Sequence, residues 1–455
     1  MFDHQEELDE YLEKIEELIK NKQYARLRDL FLPMEPADIA LLLEEAGGEQ
    51  MPLLYRLLPK ELAAEVFVEL DSDQQEMLIQ GFSNTELKEV LDELYLDDTV
   101  DVLEEMPANV VKKVLQNADE GTRKTINQFL NYPENSAGSL MTIEYVDLHD
   151  YFTVRKAMDY IRRTGIDKET VYTCYVIDDQ RRLVGQVSLR KLIIAPESAC
   201  IRDIMDTNIV SAATTDDQEA VADDFRRYDL TSIAVCDKEG RLVGIITIDD
   251  IVDVIQDENT EDIKKMAAII PSDEDYMKTS IWSLVAHRLP WLMLLMISAT
   301  FTSTIITHFE TLLSGAVLLT AFIPMLMDTG GNAGSQASVS IIRGLSLGEI
   351  EYKDIGRILW KEARVAFLCG VSLAVANFVK LLLIDRVTIP VAIVVCSTLV
   401  VTVLAAKLVG CSLPVLAKRI GFDPAVMASP FISTIVDSIS LLIYFRIACA
   451  VLHIG

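Results

Sequence analysis

The sequence predicts a multidomain chain: an all-α N-terminal superhelical domain, an α+β tandem repeat, a connecting helix and an α-helical transmembrane bundle of five spans. Three observations predict this fold class. Acidic residues are concentrated in the first 280 residues, a strand–helix pattern recurs between about 137 and 256, and apolar stretches long enough to cross a bilayer occur only after Ile281. We therefore expect four parts, at 1–131, 132–256, 257–280 and 281–455.

The two halves of the chain differ strongly in charge. The formal net charge is −29, yet residues from 281 onward carry 12 Lys/Arg and 9 Asp/Glu, which leaves 29 and 61 for residues 1–280. This acidity disfavours nucleic acid and anionic lipid as partners, and it favours cations or simply a solvated surface. The N-terminus, "MFDHQEELDEYLEKIEELIK", lacks the basic and apolar regions of a signal peptide.

Residues 1 to about 131 are predicted to form short helices. Apolar residues recur at helical spacing in "ELAAEVFVEL", "ELKEVLDELY" and "DTVDVLEEM", and "LPKE", "FSNTE" and "MPAN" separate these segments. Two arrangements fit this pattern, a small right-angled helical solenoid and an irregular helical bundle.

The second part contains an internal repeat. "VYTCYVIDDQRRLVGQVSLRKLI" is echoed by "TSIAVCDKEGRLVGIITIDDIV", and each copy predicts a strand, a polar turn, a strand and a helix. Two such βαββα units resemble a tandem cystathionine β-synthase (CBS) module. The resemblance implies a fold that binds adenosine ligands or ions and regulates an attached domain.

This resemblance also implies candidate nucleotide-binding residues. In the CBS family one signature is Gly-h-h-Ser/Thr-x-x-Asp, whose carboxylate holds the ribose hydroxyls. The second copy has Thr247 and Asp250 after its glycine, whereas the first has Ser188 but Lys191 in place of the acid. ATP is therefore a candidate ligand of this module. The first copy is poorly suited to it, because a lysine cannot accept hydrogen bonds from the ribose hydroxyls.

The segment "IVDVIQDENTEDIKKMAAIIPSDEDYMKTS" joins the repeat to the first apolar stretch. It has a helical pattern, and its acidic residues fall at i,i+4, a spacing at which like charges destabilise an isolated helix. A solvated linker and an ion-sensing connector both fit this composition.

Five spans are predicted, at about 284–307, 312–341, 357–384, 388–413 and 424–452. With the N-terminus in the cytoplasm, nine of the twelve Lys/Arg in this region lie at the inner side and three toward the outside. By the positive-inside rule we expect a multi-pass protein of the cell (inner or plasma) membrane, with its acidic half in the cytoplasm and its C-terminus outside.

Polar residues form a stripe on the second predicted span. Asp328, Asn332 and Gln336 follow one another at i,i+4 in "FIPMLMDTGGNAGSQASVS", and Gly330 and Gly334 provide a small-residue face that allows close backbone approach. A water-lined path and a hydrogen-bonded seam between helices are both compatible with this pattern.

The fifth predicted span carries a carboxylate, Asp437, whose insertion into a membrane costs about 2.5–3.5 kcal/mol. Ser433, Ser440 and Tyr444 are predicted to share its helix face. Arg446, the nearest cation in sequence, projects from the opposite face. The partner of Asp437 is therefore expected to be transient.

Taken together, these parts resemble the MgtE family of magnesium channels. The order of domains matches, and Pro324 followed by "GGNAGSQ" and Pro430 followed by "FISTIVD" resemble the two pore motifs of that family. Ser440 departs from the pattern, since a glycine is more usual there. The resemblance implies a homodimer embedded in the lipid bilayer, with a pore between the paired second and fifth spans. Its pore residues would be Asp437, Ser433 and Asn332, and cytosolic Mg²⁺, both substrate and regulator, would close it.

The same resemblance implies a set of Mg²⁺-sensing carboxylates. They lie in the N-terminal domain, the second CBS unit, the connecting helix and the last cytoplasmic loop. They are Asp97, Asp101, Glu219, Asp229, Asp250, Asp253, Glu258, Glu261, Asp262 and Asp423.

The residue types agree with this ion. Mg²⁺ takes six oxygen ligands and gives up its waters reluctantly, so its pore needs carboxylates and polar acceptors rather than thiols or imidazoles. Three alternatives stay open: a CBS-regulated transporter of Co²⁺, Mn²⁺ or Zn²⁺, a CBS receptor that transports nothing, and an intramembrane aspartyl protease suggested by Asp328-Thr329-Gly330. The last lacks a second "DTG", so we expect no enzyme.

Overall fold

A computed structural model of the chain describes residues 5–47, 50–91, 93–104, 106–118, 120–272, 276–277, 279–309, 317–427 and 429–452. The chain divides into two compact units, Met1–Val254 and Ile255–Gly455. The start of the predicted second span, at 312–316, and the side chain of Asp97 lie outside the described residues.

The first part of the chain is a helical domain, as predicted. Its helices are short because Pro and capping residues interrupt the apolar pattern: Pro36 begins one of them, and the Asp71 side chain accepts a hydrogen bond from the Gln74 backbone N–H at the start of another. Their buried faces form a continuous core around residues such as Phe31, Leu43 and Phe67. The helices are α1 (Gln5–Lys20), α2 (Tyr24–Phe31), α3 (Pro36–Ala46), α4 (Met51–Tyr55), α5 (Lys60–Val68), α6 (Ser72–Gly81), α7 (Asn84–Leu91), α8 (Leu96–Glu104), α9 (Ala108–Asn117) and α10 (Glu120–Phe129).

The predicted repeat forms two equivalent halves. The first half contains α11 (Ala137–Leu140), β1 (Asp147–His149), α12 (Val154–Thr164), β2 (Thr173–Ile177), β3 (Leu183–Ser188) and α13 (Leu189–Ile194). The second contains α14 (Ile201–Ile204), β4 (Ser211–Ala213), α15 (Gln218–Tyr228), β5 (Ser232–Cys236), β6 (Leu242–Thr247) and α16 (Ile248–Met266).

The two sheets have the same topology and meet at their centre. In each sheet the first strand pairs parallel with the second, and the second pairs antiparallel with the third. Arg182 and Arg241 form an isolated antiparallel bridge between the halves, and the hydroxyl groups of Tyr175 and Ser232 lie 2.8 Å apart in a buried hydrogen bond. The sequence repeat is therefore a structural repeat.

The described residues of the second unit include five long helices: α17 (Ile281–His308), α18 (Ile323–Ser346), α19 (Ile355–Leu383), α20 (Ile389–Arg419) and α21 (Ser429–Leu452). Short 3₁₀ turns occupy Val317–Phe322, Tyr352–Asp354 and Pro424–Met427. In the described part of the chain, four segments are long and apolar enough to cross a membrane: Ile281–His308, Tyr352–Leu383, Ile389–Arg419 and Pro424–Leu452.

The helix within the predicted second span, α18, is not among these four. It has 24 residues, which is long enough to cross about 30 Å of hydrocarbon. Its glycine, serine, asparagine and glutamine residues make it less apolar than its neighbours. It packs between α20 and α21, which bury one of its faces.

Candidate functional site

Helix α18 has one buried face and one exposed face. Gly330, Gly334 and Ala337 are buried, whereas Asp328, Asn332 and Gln336 are all exposed in the chain. The three exposed residues follow one another at i,i+4, so they cover about 12 Å of one helix face. A helix surrounded by apolar neighbours thus presents a continuous polar stripe outward.

The buried face of α18 consists of small residues because other helices approach its backbone closely. A Cβ atom added to Gly330 would lie 2.9 Å from both the Ser440 Oγ and the Thr402 Cγ2, and one added to Gly334 would lie 2.8 Å from the Ile432 Cγ2. These distances are too short for a side chain at either position. The close approach predicted from the glycine spacing is confirmed.

Helices α18 and α21 are antiparallel along this contact. Gly331 faces Ser433, with an added Cβ 3.2 Å from the Ser433 Oγ, whereas the earlier Gly330 faces the later Ser440. The contact therefore places Ser433 beside the exposed stripe of α18, one helical turn from Asp437.

Asp437 is half-buried on α21, and the charged group that acts on it is another carboxylate. Asp328 on α18 is close enough to interact with it electrostatically. No residue in the described part of the chain donates a hydrogen bond to the Asp437 carboxylate or forms an ion pair with it. Arg446 is exposed two turns further along the helix. Within the residues that the structure describes, Asp437 therefore has no counterion.

The polar face predicted for α21 is narrower than expected. Ser440 and Tyr444 are fully buried between helices. The Ser440 Oγ donates to the Val436 carbonyl at 2.7 Å, and the Tyr444 hydroxyl donates to the Leu319 carbonyl at 2.9 Å. Because backbone carbonyls satisfy both hydroxyls, these two side chains stabilise the packing and are not available to an ion.

The end of α16 brings three of the predicted sensing residues together with a lysine. The Lys265 Nζ lies 2.7 Å from the Glu261 Oε1 and 2.7 Å from the Asp423 Oδ2. Burial, together with the charge of Asp423, raises the pKa of the nearby Asp262 carboxyl to about 6, against the opposing effect of Lys265. The sequence analysis identified the three acids but missed the lysine. Its i+4 spacing from Glu261 was the available signal.

A second acidic cluster lies in the first unit and joins three distant segments of the chain. Asp98 comes from α8, Glu144 and Glu169 come from loops of the first CBS half, and Asp249 and Asp250 begin α16. Burial, reinforced by the neighbouring carboxylates, raises the pKa of Asp98 to about 6 and that of Glu169 to about 7. Sequence reasoning identified only Asp250 here, because nothing in the local sequence marks single acids in loops.

Asp250 also has a structural role at the start of α16. Its Oδ2 accepts a hydrogen bond from the Thr247 hydroxyl at 2.8 Å, and burial raises its pKa to about 6. At the equivalent position of the first half, the Ser188 Oγ accepts from the Lys191 backbone N–H at 3.2 Å. The three predicted nucleotide-binding residues therefore begin the helices that follow β3 and β6.

The remaining predicted sensing residues are dispersed. Asp101 and Asp253 are exposed, and Glu258 is half-buried. Glu219 lies in the first turn of α15, whereas Asp229 ends it in a left-handed conformation (φ 52°). The two are about 15 Å apart by helical rise, so one ion cannot bind both within a chain.

The candidate ion ligands at these positions are all oxygen atoms. Among the described residues, no three His, Cys, Asp or Glu side chains form a ready ligand set for a metal ion. Carboxylate and hydroxyl oxygens are ligands of hard, hydrated divalent cations, whereas thiolates bind softer metal ions.

Known protein families match the chain over most of its length. The family profiles described as "MgtE intracellular N domain", "CBS domain" and "Divalent cation transporter" match residues 34–135, residues 137–198 and 201–257, and residues 323–447, respectively.

Two relatives that match nearly the whole chain carry the same name. The chain is 36% identical over 445 residues to a protein named magnesium transporter MgtE from Thermus thermophilus, with 95% of this chain and 97% of the relative covered. It is 31% identical over 450 residues to a protein of the same name from Bacillus subtilis, with 98% of each chain covered.

A solved structure resembles the N-terminal half. It is described as the cytosolic domain of the Mg²⁺ channel MgtE in complex with ATP, and it is 37% identical with a TM-score of 0.51. The similarity covers 52% of this chain and 98% of that one.

Proposed function

Because the chain belongs to the MgtE family of magnesium transporters, we propose that it forms a homodimeric, Mg²⁺-selective channel for magnesium uptake that cytosolic Mg²⁺ closes. The family consists of transporters and channels rather than enzymes. The aspartyl protease alternative is therefore set aside.

The observation that carries this proposal is the exposed polar stripe of α18 beside the unpaired Asp437. A polar stripe facing lipid is costly, since lipid offers no hydrogen bonds. A second copy of the chain, related by a two-fold axis, would cover this face and enclose water between two identical stripes. The pore would then run between paired α18 and α21 helices.

The chemistry of the proposed pore suits a hydrated magnesium ion. At about 4.5 Å, with an effective dielectric constant of about 20, a divalent cation and one carboxylate attract each other by roughly 7 kcal/mol before desolvation. This attraction is large enough to offset the cost of placing Asp437 in the membrane. Ser433 and Asn332 would accept hydrogen bonds from the water molecules of the ion.

The proposed closing mechanism uses the acidic residues outside the membrane. Carboxylates that repel one another keep the cytosolic parts loosely associated, and Mg²⁺ ions that bridge them bring the surfaces together. The raised pKa values of Asp98, Glu169 and Asp262 support this, since each carboxylate is disfavoured in its ionised form until a cation arrives. The sensing set is the ten residues from Asp97 to Asp423 named above.

The membrane topology and the domain boundaries are part of the same proposal. We place α18 in the bilayer as a fifth span, with the N-terminus in the cytoplasm and the C-terminus outside. The parts 1–131, 132–256, 257–280 and 281–455 then act as cation-binding domain, regulatory module, connector and pore.

ATP is proposed as a ligand of the second CBS half only. The similar structure described as a cytosolic domain in complex with ATP supports nucleotide binding by the corresponding half of this chain. Thr247 and Asp250 carry the acceptor pattern in this chain, and Lys191 removes it from the first half.

The deciding experiment measures magnesium entry into proteoliposomes that contain the purified chain. Entry should be fast with an internal chelator and slow with millimolar internal Mg²⁺. Entry of Co²⁺, Mn²⁺ or Zn²⁺ into the same vesicles tests the alternative substrates. Preferential flux of one of these ions would replace magnesium in the proposal, and flux that ignores internal Mg²⁺ would reject the closing mechanism.

A further inference from the structure

A lysine side chain fastens the end of α16 to the loop before α21. The Lys265 ammonium contacts the Glu261 carboxylate on its own helix and the Asp423 carboxylate in the loop, each at 2.7 Å. Its side chain is only 22% exposed. The other oxygen of Asp423 accepts a hydrogen bond from the Ala425 backbone N–H at 2.8 Å. Both oxygens of Asp423 are therefore engaged by groups of the protein.

The contacts around this lysine favour one position of the helix end. Met266, the next residue, packs against Ile342 of α18 and Ala425 of the loop. An apolar contact and an ion pair thus hold the end of α16 against two parts of the proposed pore region. These are helix α18 and the loop that precedes α21.

The carboxylates around Lys265 are the ones to which the proposed function assigns Mg²⁺ sensing. Glu261 and Asp423 contact it directly, and its charge acts on the half-buried Asp262. One ammonium group thus lies among three carboxylates and partly neutralises their charge. Without it, these carboxylates would be available to a cation from solution.

We propose that Lys265 is a tethered cation that substitutes for one bridging magnesium ion between α16 and the Asp423 loop, so that part of channel closure does not depend on Mg²⁺. This inference rests on the proposed function, because it assumes that contact between α16 and this loop favours the closed channel. By this inference Lys265 helps to set the Mg²⁺ concentration at which the channel closes, although it binds no Mg²⁺ itself.

The physical consequence follows from competition for the same oxygen atoms. The lysine is always present at its site, whereas Mg²⁺ must be recruited from solution and retains most of its water. Removing the ammonium group should loosen the closed arrangement when no Mg²⁺ is present. It should also leave three carboxylates free to attract Mg²⁺, so closure should depend more strongly on the ion.

The experiment uses the full-length chain in proteoliposomes, with either chelator or saturating Mg²⁺ inside. Lys265→Met keeps the length of the side chain and removes its charge. A partly exposed ion pair of this kind corresponds to about a fivefold change in an equilibrium, so flux with chelator should rise by up to about fivefold. Flux at saturating Mg²⁺ should stay low, which increases the ratio between the two conditions.

Lys264→Met is the matched control, because it removes the same charge one residue away. The Lys264 Nζ donates to the Ser272 carbonyl rather than to these carboxylates, so this variant should behave as the wild type. Lys265→Arg should retain low flux with chelator. Asp423→Asn breaks the same bridge from its other end, so it should raise flux with chelator and weaken the response to Mg²⁺.

Several results would overturn the proposal. One is the same flux with chelator in Lys265→Met as in Lys264→Met. Another is a lower flux in Lys265→Met than in the wild type, with a normal dimer elution profile. The third is the same flux with chelator in Lys265→Arg as in Lys265→Met. The wild type separates this inference from the function on which it rests. If internal Mg²⁺ does not inhibit the wild type, the proposed function fails. If internal Mg²⁺ inhibits the wild type but the flux of Lys265→Met with chelator equals that of the wild type, only the role of the lysine is rejected.

Discussion

Gly410 on α20 lies against the backbone of Gly334 on α18, so closely that a Cβ atom added to Gly410 would collide with the Gly334 carbonyl oxygen and lie 3.0 Å from its carbonyl carbon. Two helices of the second unit therefore meet backbone to backbone at this point, with no side chain between them. This contact fixes the buried face of α18 and consequently the direction of its exposed polar stripe.

Gly410→Ala should separate these two helices or strain them. Overpacking of this kind costs about 1–3 kcal/mol, so the thermal unfolding temperature of the detergent-solubilised protein should fall. Gly356→Ala on α19 is the control, because an added Cβ meets no atom within 4 Å there. It should be neutral or slightly stabilising, as alanine is favoured over glycine in helices by about 0.5–1 kcal/mol. Equal unfolding temperatures for the two variants would contradict the close contact.

Asp437→Asn should abolish magnesium flux while leaving the protein folded. The amide keeps the shape of the carboxylate and removes the charge that attracts the ion, so the variant tests the electrostatic role alone. Asp437→Ala should also fold without conducting, and Asp437→Glu should conduct poorly because its carboxylate reaches further into the pathway. The measurement is Mg²⁺ flux into proteoliposomes, normalised to folded protein. An Asn variant with near-normal flux beside an unfolded Ala variant would instead indicate a structural carboxylate.

Simultaneous alanine substitution of four sensing acids should leave a channel that ignores cytosolic Mg²⁺. Single substitutions should have smaller effects, because the attraction is shared among many carboxylates. The four are Asp250, Asp253, Glu258 and Glu261. A matched variant removes four exposed acids from α1, namely Asp9, Glu10, Glu13 and Glu17. It should close normally, and loss of regulation in this control would show that total charge, rather than position, governs closure.

The acidic cluster of the first unit should make its compactness depend on pH in the absence of divalent cations. The folded-state pKa of Asp98 is raised to about 6 and that of Glu169 to about 7, above their ordinary values near 4. Their stabilising contribution is therefore complete below about pH 4 and is lost as the pH rises through about 6 to 7. With chelator present, small-angle scattering of residues 1–270 should show a smaller radius at pH 5 than at pH 8.

Millimolar Mg²⁺ should remove this difference by compacting the fragment at pH 8. A radius that is independent of both pH and Mg²⁺ would contradict the assignment of the cluster. Asp98→Asn with Glu169→Gln should reduce the pH dependence, since neither amide titrates.

ATP should bind at one site per chain, measured by titration calorimetry on the full-length protein. Thr247→Ala should weaken binding, whereas Ser188→Ala should leave it unchanged. Lys191→Asp restores the acidic residue of the first copy and should add a second site. Binding that is lost in the Ser188 variant and retained in the Thr247 variant would reverse the assignment.

Several features of the molecule were predicted from local sequence. The helical N-terminal domain, the repeated CBS halves and the small-residue face of α18 all follow from periodicity, and the structure confirms them. The four segments that can cross a membrane agree with four of the five predicted spans. Asp437 could be recognised as an unpaired charge because the spacing along one helix excludes Arg446 from its face.

Tertiary structure decided which faces meet. Helical periodicity placed Ser440 and Tyr444 beside Asp437, but contacts with α18 and the Leu319 carbonyl bury both. The grouping of Glu144 and Glu169 with Asp98 likewise depends on loops that are distant in sequence.

The sequence by itself determined which residues share a helix face, which segments repeat and where charge is concentrated, because these properties depend on neighbours within a few positions. Only the tertiary structure decided that Lys265 reaches Asp423, 158 residues away. A contact at that separation forms because packing of the intervening helices brings the two segments together, and no local pattern encodes that packing.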